Sequence, residues 1–372
     1  GSLGASSAME YGAAATVGAV VAAAVMHYHA RGAKPPTVTM DATEQNQAAV
    51  LACPQLVRPV LPSVGWSGVV ATTVFGAANG LQLKPPPGVE KVVLEDGGVV
   101  LLDWLVRGQP GPAVLVCPGL NNSSRTGYIV RLAEALGQQG FNCVAVNYRG
   151  VLSELSSPKL GCADSWQDLP AVLEVIQQTS PRIFAVGFSL GGAILAKHLQ
   201  EHPESPIEAA ALVAAPLQLH RTSEYLSSSL IGQVMSCALA VGVKLAYITS
   251  MRNSPHTAAV STARVLMATR IQDIDDTIVV PMNGYKDRKD YYDSNSSPDV
   301  LHTVQIPLLV LNATDDPVVP PDAAYYKTTN PFVIHAETQG GGHLAWGATH
   351  LGWAASAVKS FFVHVKGSQA KL

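Results

Sequence analysis

Between residues 91 and 216 the chain alternates short, mainly apolar runs with stretches of helical period. AVLVC, CVAVNY, IFAVG and AALVAA, followed near the end of the chain by LLVLNA and FVIHA, are the lengths of strands buried on both faces. Between them YIVRLAEALGQQ, WQDLPAVLEVIQQ and LGGAILAKHLQEH repeat apolar positions every three or four residues, as helices with one buried face do. KVVLED and VVLLDWLV flank Gly97 and Gly98 and predict a hairpin. Strands alternating with helices predict an α/β fold with a mainly parallel sheet flanked on both faces by helices.

Three regions depart from that rhythm. Residues 217–304 contain no comparable strand but a Ser-rich, apolar helical run, LSSSLIGQVMSCALAVGVKLAYI, and then polar loops, which predicts a helical cap inserted before the last two strands. Gly232 and Gly242 are candidate bend points within it. Residues 35–90 are punctuated by proline and read as an irregular N-terminal wrap, with Pro85–Pro87 as a stiff linker. Residues 1–34 form a lead in which GSLGASS is set aside from fold reasoning and the uncharged residues 11–26 are a candidate membrane anchor. A cleaved targeting peptide and a helix packed on the body are the alternatives. The core is then residues 91–216 and 305–372.

Composition narrows the class. Charged residues are 14% of the 372 and hydrophobic ones 48%, and the mean hydropathy of +0.21 is apolar for a soluble enzyme, which points towards lipid. A formal charge of -3 supplies no basic excess for phosphates, so no nucleic-acid partner is expected. The five cysteines (Cys53, Cys117, Cys143, Cys162, Cys237) are odd in number and lack CxxC spacing; they read as reduced, buried thiols, and no structural metal site is expected. Arg31 and Lys34, after the candidate anchor, favour a cytosolic catalytic domain at a membrane; a cleaved segment would give a cytoplasmic or organellar protein.

The candidate chemistry begins at VGFSLGG. Ser189 falls between a strand and a helix, on a sharp turn that lifts its side chain clear of the sheet, and Gly187 and Gly191 permit the close approach of helix and strand. The helix N-terminus behind Ser189 favours developing negative charge. A serine hydroxyl needs a base, and the base an orienting acid. Both follow at strand ends: TDDPVVP after LLVLNA, and His343 in GGGHLAW after FVIHA. Asp316 is preferred over Asp315 as orienter because Pro317 biases it to an extended backbone. His198 and His202 read as surface residues, and His335 as a packed ring. The N–H groups of Leu190 and Leu120, the latter in CPGLNNSS, are the expected oxyanion donors.

The segments VNYRG, VGFSLGGAILAKHL, VAAPLQL, IQDIDDTIVVPMNGYKDRKDYYDSNSS, IPLLVLNATDDPVVP and GGHLAW, with a looser CPQLVRPVLPSVGW, resemble in order those of one α/β-hydrolase-domain family. It includes bacterial YheT-type esterases, plant embryogenesis-associated proteins and yeast medium-chain ethyl ester synthases. The resemblance runs over roughly residues 50–365, and DYYDSNSS is its most discriminating block. It implies an α/β-hydrolase fold, Ser189 as nucleophile, Asp315 or Asp316 as orienter, and His343 as base. NNSS stands where the family's oxyanion loop usually has a further glycine, and the N-terminal block is diverged. The expectation is a serine hydrolase of carboxylic acyl esters, medium-chain or lipid-like, working through an acyl-serine intermediate without metal or redox cofactor. The alternatives are an alcohol O-acyltransferase using the same intermediate and a non-catalytic binding protein; the partners expected are an acyl ester or lipid substrate and, through the N-terminus, a membrane, with oligomeric state open.

Overall fold

The computed structural model describes residues 34–59, 89–251, 253–320, 328–344, 346 and 352–369. The sheet is built on β4 (Ala113–Cys117), β5 (Asn142–Asn147), β6 (Ile183–Phe188), β7 (Ile207–Val213), β8 (Leu308–Ala313) and β9 (Val333–Thr338), which run parallel to one another. The predicted hairpin is β2 (Val89–Val93) with β3 (Val99–Val106), joined antiparallel onto β5. A further strand, β1 (Thr37–Met40), pairs antiparallel with β9, so the order is β1-β9-β8-β7-β6-β4-β5-β3-β2. Alternate residues of each central strand enter opposite cores: Phe184 and Val186 of β6 pack on one face, Ile183 and Ala185 on the other.

Helices α2 (Gly127–Gly137) and α3 (Leu169–Thr179) cover those faces as their period requires. α2 buries Ile129, Leu132, Ala133 and Leu136; α3 buries Leu169, Val172, Leu173 and Ile176. α4 (Leu190–Glu201) follows β6, and α8 (Trp353–Gln369) lies with α2 on the Phe184 face, where Phe361 and Phe362 are fully buried.

Of the irregular wrap expected over 35–90, residues 60–88 lie outside the described residues, and residues 34–57 are regular rather than irregular. They form β1, α1 (Glu44–Ala52) and a short helix Pro54–Val57. Thr43 caps α1 by accepting from the Asn46 N–H (3.2 Å), and Trp353 of α8 donates to the Gln55 carbonyl (3.0 Å). The local pattern is weak because packing against α8 holds this segment. Pro85–Pro87 and residues 11–26 lie outside the described residues.

Among the described residues of 217–304 there is no strand. The segment runs through α5 (Leu219–Ser228), α6 (Leu230–Ala246), several short helical turns and α7 (Arg288–Asn295). DYYDSNSS, which contains most of α7, fastens the cap to the core: the Tyr291 hydroxyl accepts from the Ala163 N–H (3.0 Å) and Trp166 donates to Asn295 (3.0 Å). Upstream, Asn283 donates to Asp164 (2.9 Å) and to the Leu160 carbonyl (3.0 Å). Gly232 and Gly242 are not bends. α6 is continuous through both, and a Cβ there would stand 2.7 Å from the Tyr225 carbonyl oxygen and 2.3 Å from the Asn121 amide. They are close-approach positions.

Candidate active site

Strand order brings the first two parts together. β4 and β6 are neighbours with Cys117 opposite Gly187, so the loops leaving their carboxyl ends lie side by side. At the end of β6 the backbone turns through Ser189 at φ 51°, ψ -121°, a conformation that costs a side-chain-bearing residue roughly 1–3 kcal/mol. Its N–H donates to the Val213 carbonyl (2.9 Å), and its carbonyl accepts from Gly192 (2.8 Å). The turn needs glycine on both sides: a Cβ on Gly187 would stand 2.4 Å from the Gly191 carbonyl oxygen, and one on Gly191 would stand 2.1 Å from that of Cys117.

The loop after β4 passes directly over this turn, since a Cβ on Gly119 would sit 3.2 Å from the Ser189 Cβ. Tyr148 donates to the Pro118 carbonyl (3.4 Å) and Asn122 to the Leu120 carbonyl (2.8 Å). In NNSS, Asn121 takes φ 61°, the left-handed region that asparagine tolerates better than most residues, and so meets the demand that a glycine would meet. Its amide donates to the Leu239 carbonyl of α6 (3.3 Å), joining this loop to the cap. Leu190 is the first residue of α4, so its N–H is one of those with no partner inside the helix. Leu120 and Leu190 are both half-buried beside Ser189.

The acid and the imidazole come from β8 and β9. Asp316 Oδ1 accepts from the N–H groups of Val318 (2.7 Å) and Val319 (2.9 Å), while Oδ2 lies 2.9 Å from His343 Nδ1. Asp315 faces elsewhere and accepts from the Gly342 N–H (2.8 Å), holding the loop that carries His343. His343 Nε2 then lies 2.8 Å from Ser189 Oγ. Asp316 is 2% exposed and His343 7%, so the pair is shielded from competing water. Ser189, His343 and Asp316 form one hydrogen-bonded line, with Nδ1–H donating to the carboxylate and Nε2 left to accept from the hydroxyl.

His198 and His335 stand apart from this line. His198 is buried, correcting the surface reading: it faces inward from α4, bonds Ser205 (2.9 Å) and stacks on half-buried His202. Burial pushes its pKa down to about 4. His335 is the packed ring expected, bonded to Asn312 (3.1 Å) and likewise pushed down to about 4 by burial. Four cysteines are buried and burial raises their thiols, Cys117 to about 12, but Cys237 is exposed on α6, correcting the expectation that all five are buried.

Sequence reasoning missed three supports: the Val318 and Val319 donors, the Asp315 bond to Gly342, and the Tyr225 hydroxyl, which donates to the Asp316 carbonyl from the cap (3.3 Å). The first two had a local signal in the paired aspartates and the following PVV. Tyr225 had none, because cap and strand loop meet only in the folded chain.

A family model described as alpha/beta hydrolase fold matches residues 112–345. Monoacylglycerol lipase ABHD2 of Danio rerio is 29% identical over 346 residues, covering 84% of this chain and 81% of that protein. Phospholipase ABHD3 of Mus musculus is 30% identical over 281 residues, covering 71% and 67%. Among solved structures, Est1E from Butyrivibrio proteoclasticus aligns over 74% of this chain and 98% of its own at 13% identity, with a TM-score of 0.48.

Proposed function

The chain belongs to the α/β hydrolase fold family, and from that premise we propose that it is a carboxylic ester hydrolase of the lipase and esterase type, acting on lipid esters through an acyl-Ser189 intermediate. The observation that carries this reading is the continuous line Asp316–His343–Ser189, with links of 2.9 Å and 2.8 Å, ending on a serine held at a strained turn.

In this mechanism His343 Nε2 takes the Ser189 proton as Oγ attacks the ester carbonyl. The oxyanion forms against the N–H groups of Leu190 and Leu120, with the α4 N-terminus adding a favourable field. Asp316, its Oδ1 held by two backbone donors, keeps the imidazole in the tautomer that accepts from Ser189 and stabilises the imidazolium. His343 returns the proton to the departing alcohol, and the same steps with water release the acid. The relatives named as lipase and phospholipase favour water as acceptor and a lipid as substrate. The likeness of DYYDSNSS to the ester synthase group adds medium-length acyl chains to the expected range.

The test is intact mass after a fluorophosphonate, with hydrolysis of p-nitrophenyl esters of graded chain length. One adduct on the wild type that disappears in Ser189→Ala, with turnover of the longer esters, is the expected result. A folded wild-type protein that neither reacts nor turns over would overturn the reading. Added ethanol in the same assay separates hydrolysis from transfer, since a transferase would divert product to ethyl ester.

A further inference from the structure

α6 has two unlike faces. Inward, Met235 packs with Leu226, Val318 and Val319, Ser236 donates to Gln272 (3.0 Å), and the Leu239 carbonyl accepts from Asn121. Outward, Leu230, Val234, Val241 and Leu245 are exposed, Leu230 by 81%, at the spacing of a single helical stripe. Leu266 and Met267, the latter 80% exposed, extend this surface from the neighbouring short helix Thr262–Met267, which Lys244 joins to α6 by donating to the Leu266 and Ala268 carbonyls (3.1 and 2.8 Å). A contiguous apolar patch of this kind on a water-exposed helix calls for an occupant.

Charge and length indicate which. Between Glu224 and Asp273 the sequence holds no acidic residue, while Lys244, Arg252, Arg264 and Arg270 give a local charge opposite to the chain's formal -3. Arg264 is exposed beside Leu266; Arg270 lies 3.4 Å from Asp273. An apolar stripe with Lys244 and the exposed Arg264 beside it fits a lipid interface with anionic headgroups. At seventeen residues α6 is about 25 Å long, short of the ~30 Å hydrocarbon layer, and it meets α5 at a bend of 114°. It suits lying in the interface rather than crossing it.

We propose that the outer face of α6, with Leu266 and Met267, is a docking surface for an anionic lipid bilayer, which it approaches with the Asn121 loop and Ser189 on its inner side. The inference rests on the lipid-ester reading for its purpose and on the stripe and charge for its evidence. Lipid esters would reach Ser189 from the bilayer past the cap, without crossing bulk water.

Cys237, exposed on this face while the other four cysteines are buried, is a native reporter. The full chain, labelled there with an environment-sensitive nitrobenzoxadiazole, is mixed with vesicles of phosphatidylcholine alone or with phosphatidylserine. The expected result is a blue shift and quenching by brominated lipid with the phosphatidylserine vesicles, reduced by salt and by Arg264→Gln. Val234→Asp/Val241→Asp should weaken partition at least about tenfold and slow lipid-ester turnover on vesicles, leaving hydrolysis of a short soluble ester unchanged. Vesicle binding without a probe response would place the contact in another segment and overturn the proposal. A response that grows with protein concentration in the absence of lipid would assign the face to a second copy and overturn it equally. A normal probe response with no turnover of any ester would sink the hydrolase reading and leave the docking surface standing.

Discussion

Helices α4 and α6 are both apolar and rich in small residues, yet the fold uses them in opposite ways. α4 lies between the sheet and the helical segments Ala163–Asp168 and Val300–Thr303 and is buried at every position from Gly191 to Leu199, including Lys197 and His198. α6 buries only Gly232, Met235, Ser236 and Ala240 of its seventeen residues and turns Leu230, Ile231, Val234, Val241 and Leu245 outward. Enclosure from all sides makes α4 a rigid support for the Ser189 turn. Single-sided packing makes α6 a cover whose outer surface faces something other than the protein. In the proposed mechanism the chemistry then sits on the enclosed region, and access to it on the one packed from a single side.

The sharpest way to break this contrast is at Ser189. Ser189→Ala should lower ester turnover by at least about 10⁴-fold with thermal stability retained; a large loss of Tm would mean the serine serves the fold instead. Next is the pair of aspartates. Asp316→Asn should cost about 10³ to 10⁴ in kcat, because the amide favours the wrong imidazole tautomer, whereas Asp315→Asn loosens only the Gly342 loop and should cost about tenfold or less. Equal losses at the two would show that the loop, rather than the tautomer, is what Asp316 controls.

On the support side, Gly191→Ala places a Cβ 2.1 Å from a backbone oxygen and should destabilise the core by at least about 2 kcal/mol, read as a fall in urea midpoint. The cap offers a smaller, pH-dependent effect. Burial pushes the Asp275 carboxyl, which accepts from the Tyr292 hydroxyl (2.6 Å), up to about 7. In the unfolded chain it ionises near 4, as an ordinary aspartate does. The native state therefore holds the extra proton, and this contribution to stability is complete below about pH 4 and lost as pH rises through about 7. Asp275→Asn should gain stability relative to wild type at pH 8 compared with pH 5, measured by denaturant unfolding at both. A difference independent of pH would mean that the carboxyl is ionised throughout.

Much of the site was legible because its signals are local. The Ser189 turn needs glycines two residues away on either side, the acid loop needs its aspartate just past a strand, and the strands announce themselves as apolar runs. The edge strand β1 was not legible, since four residues beside Pro35 and Pro36 carry no pattern until β9 supplies the hydrogen-bonding partner. His198 was misjudged for a related reason: helical period shows which residues share a face, but α4 is enclosed on every face.

From the sequence alone came the alternation of strands and helices, the inserted cap, and the chain order of Ser189, Asp316 and His343, all consequences of period, turn chemistry and spacing. Tertiary structure decided that Asp316 rather than Asp315 meets His343, that Asn121 and Tyr225 tie the site to the cap, and that one face of α6 is left outside. Those contacts join residues far apart in the chain, and their geometry follows from strand order and side-chain packing, which no local pattern encodes.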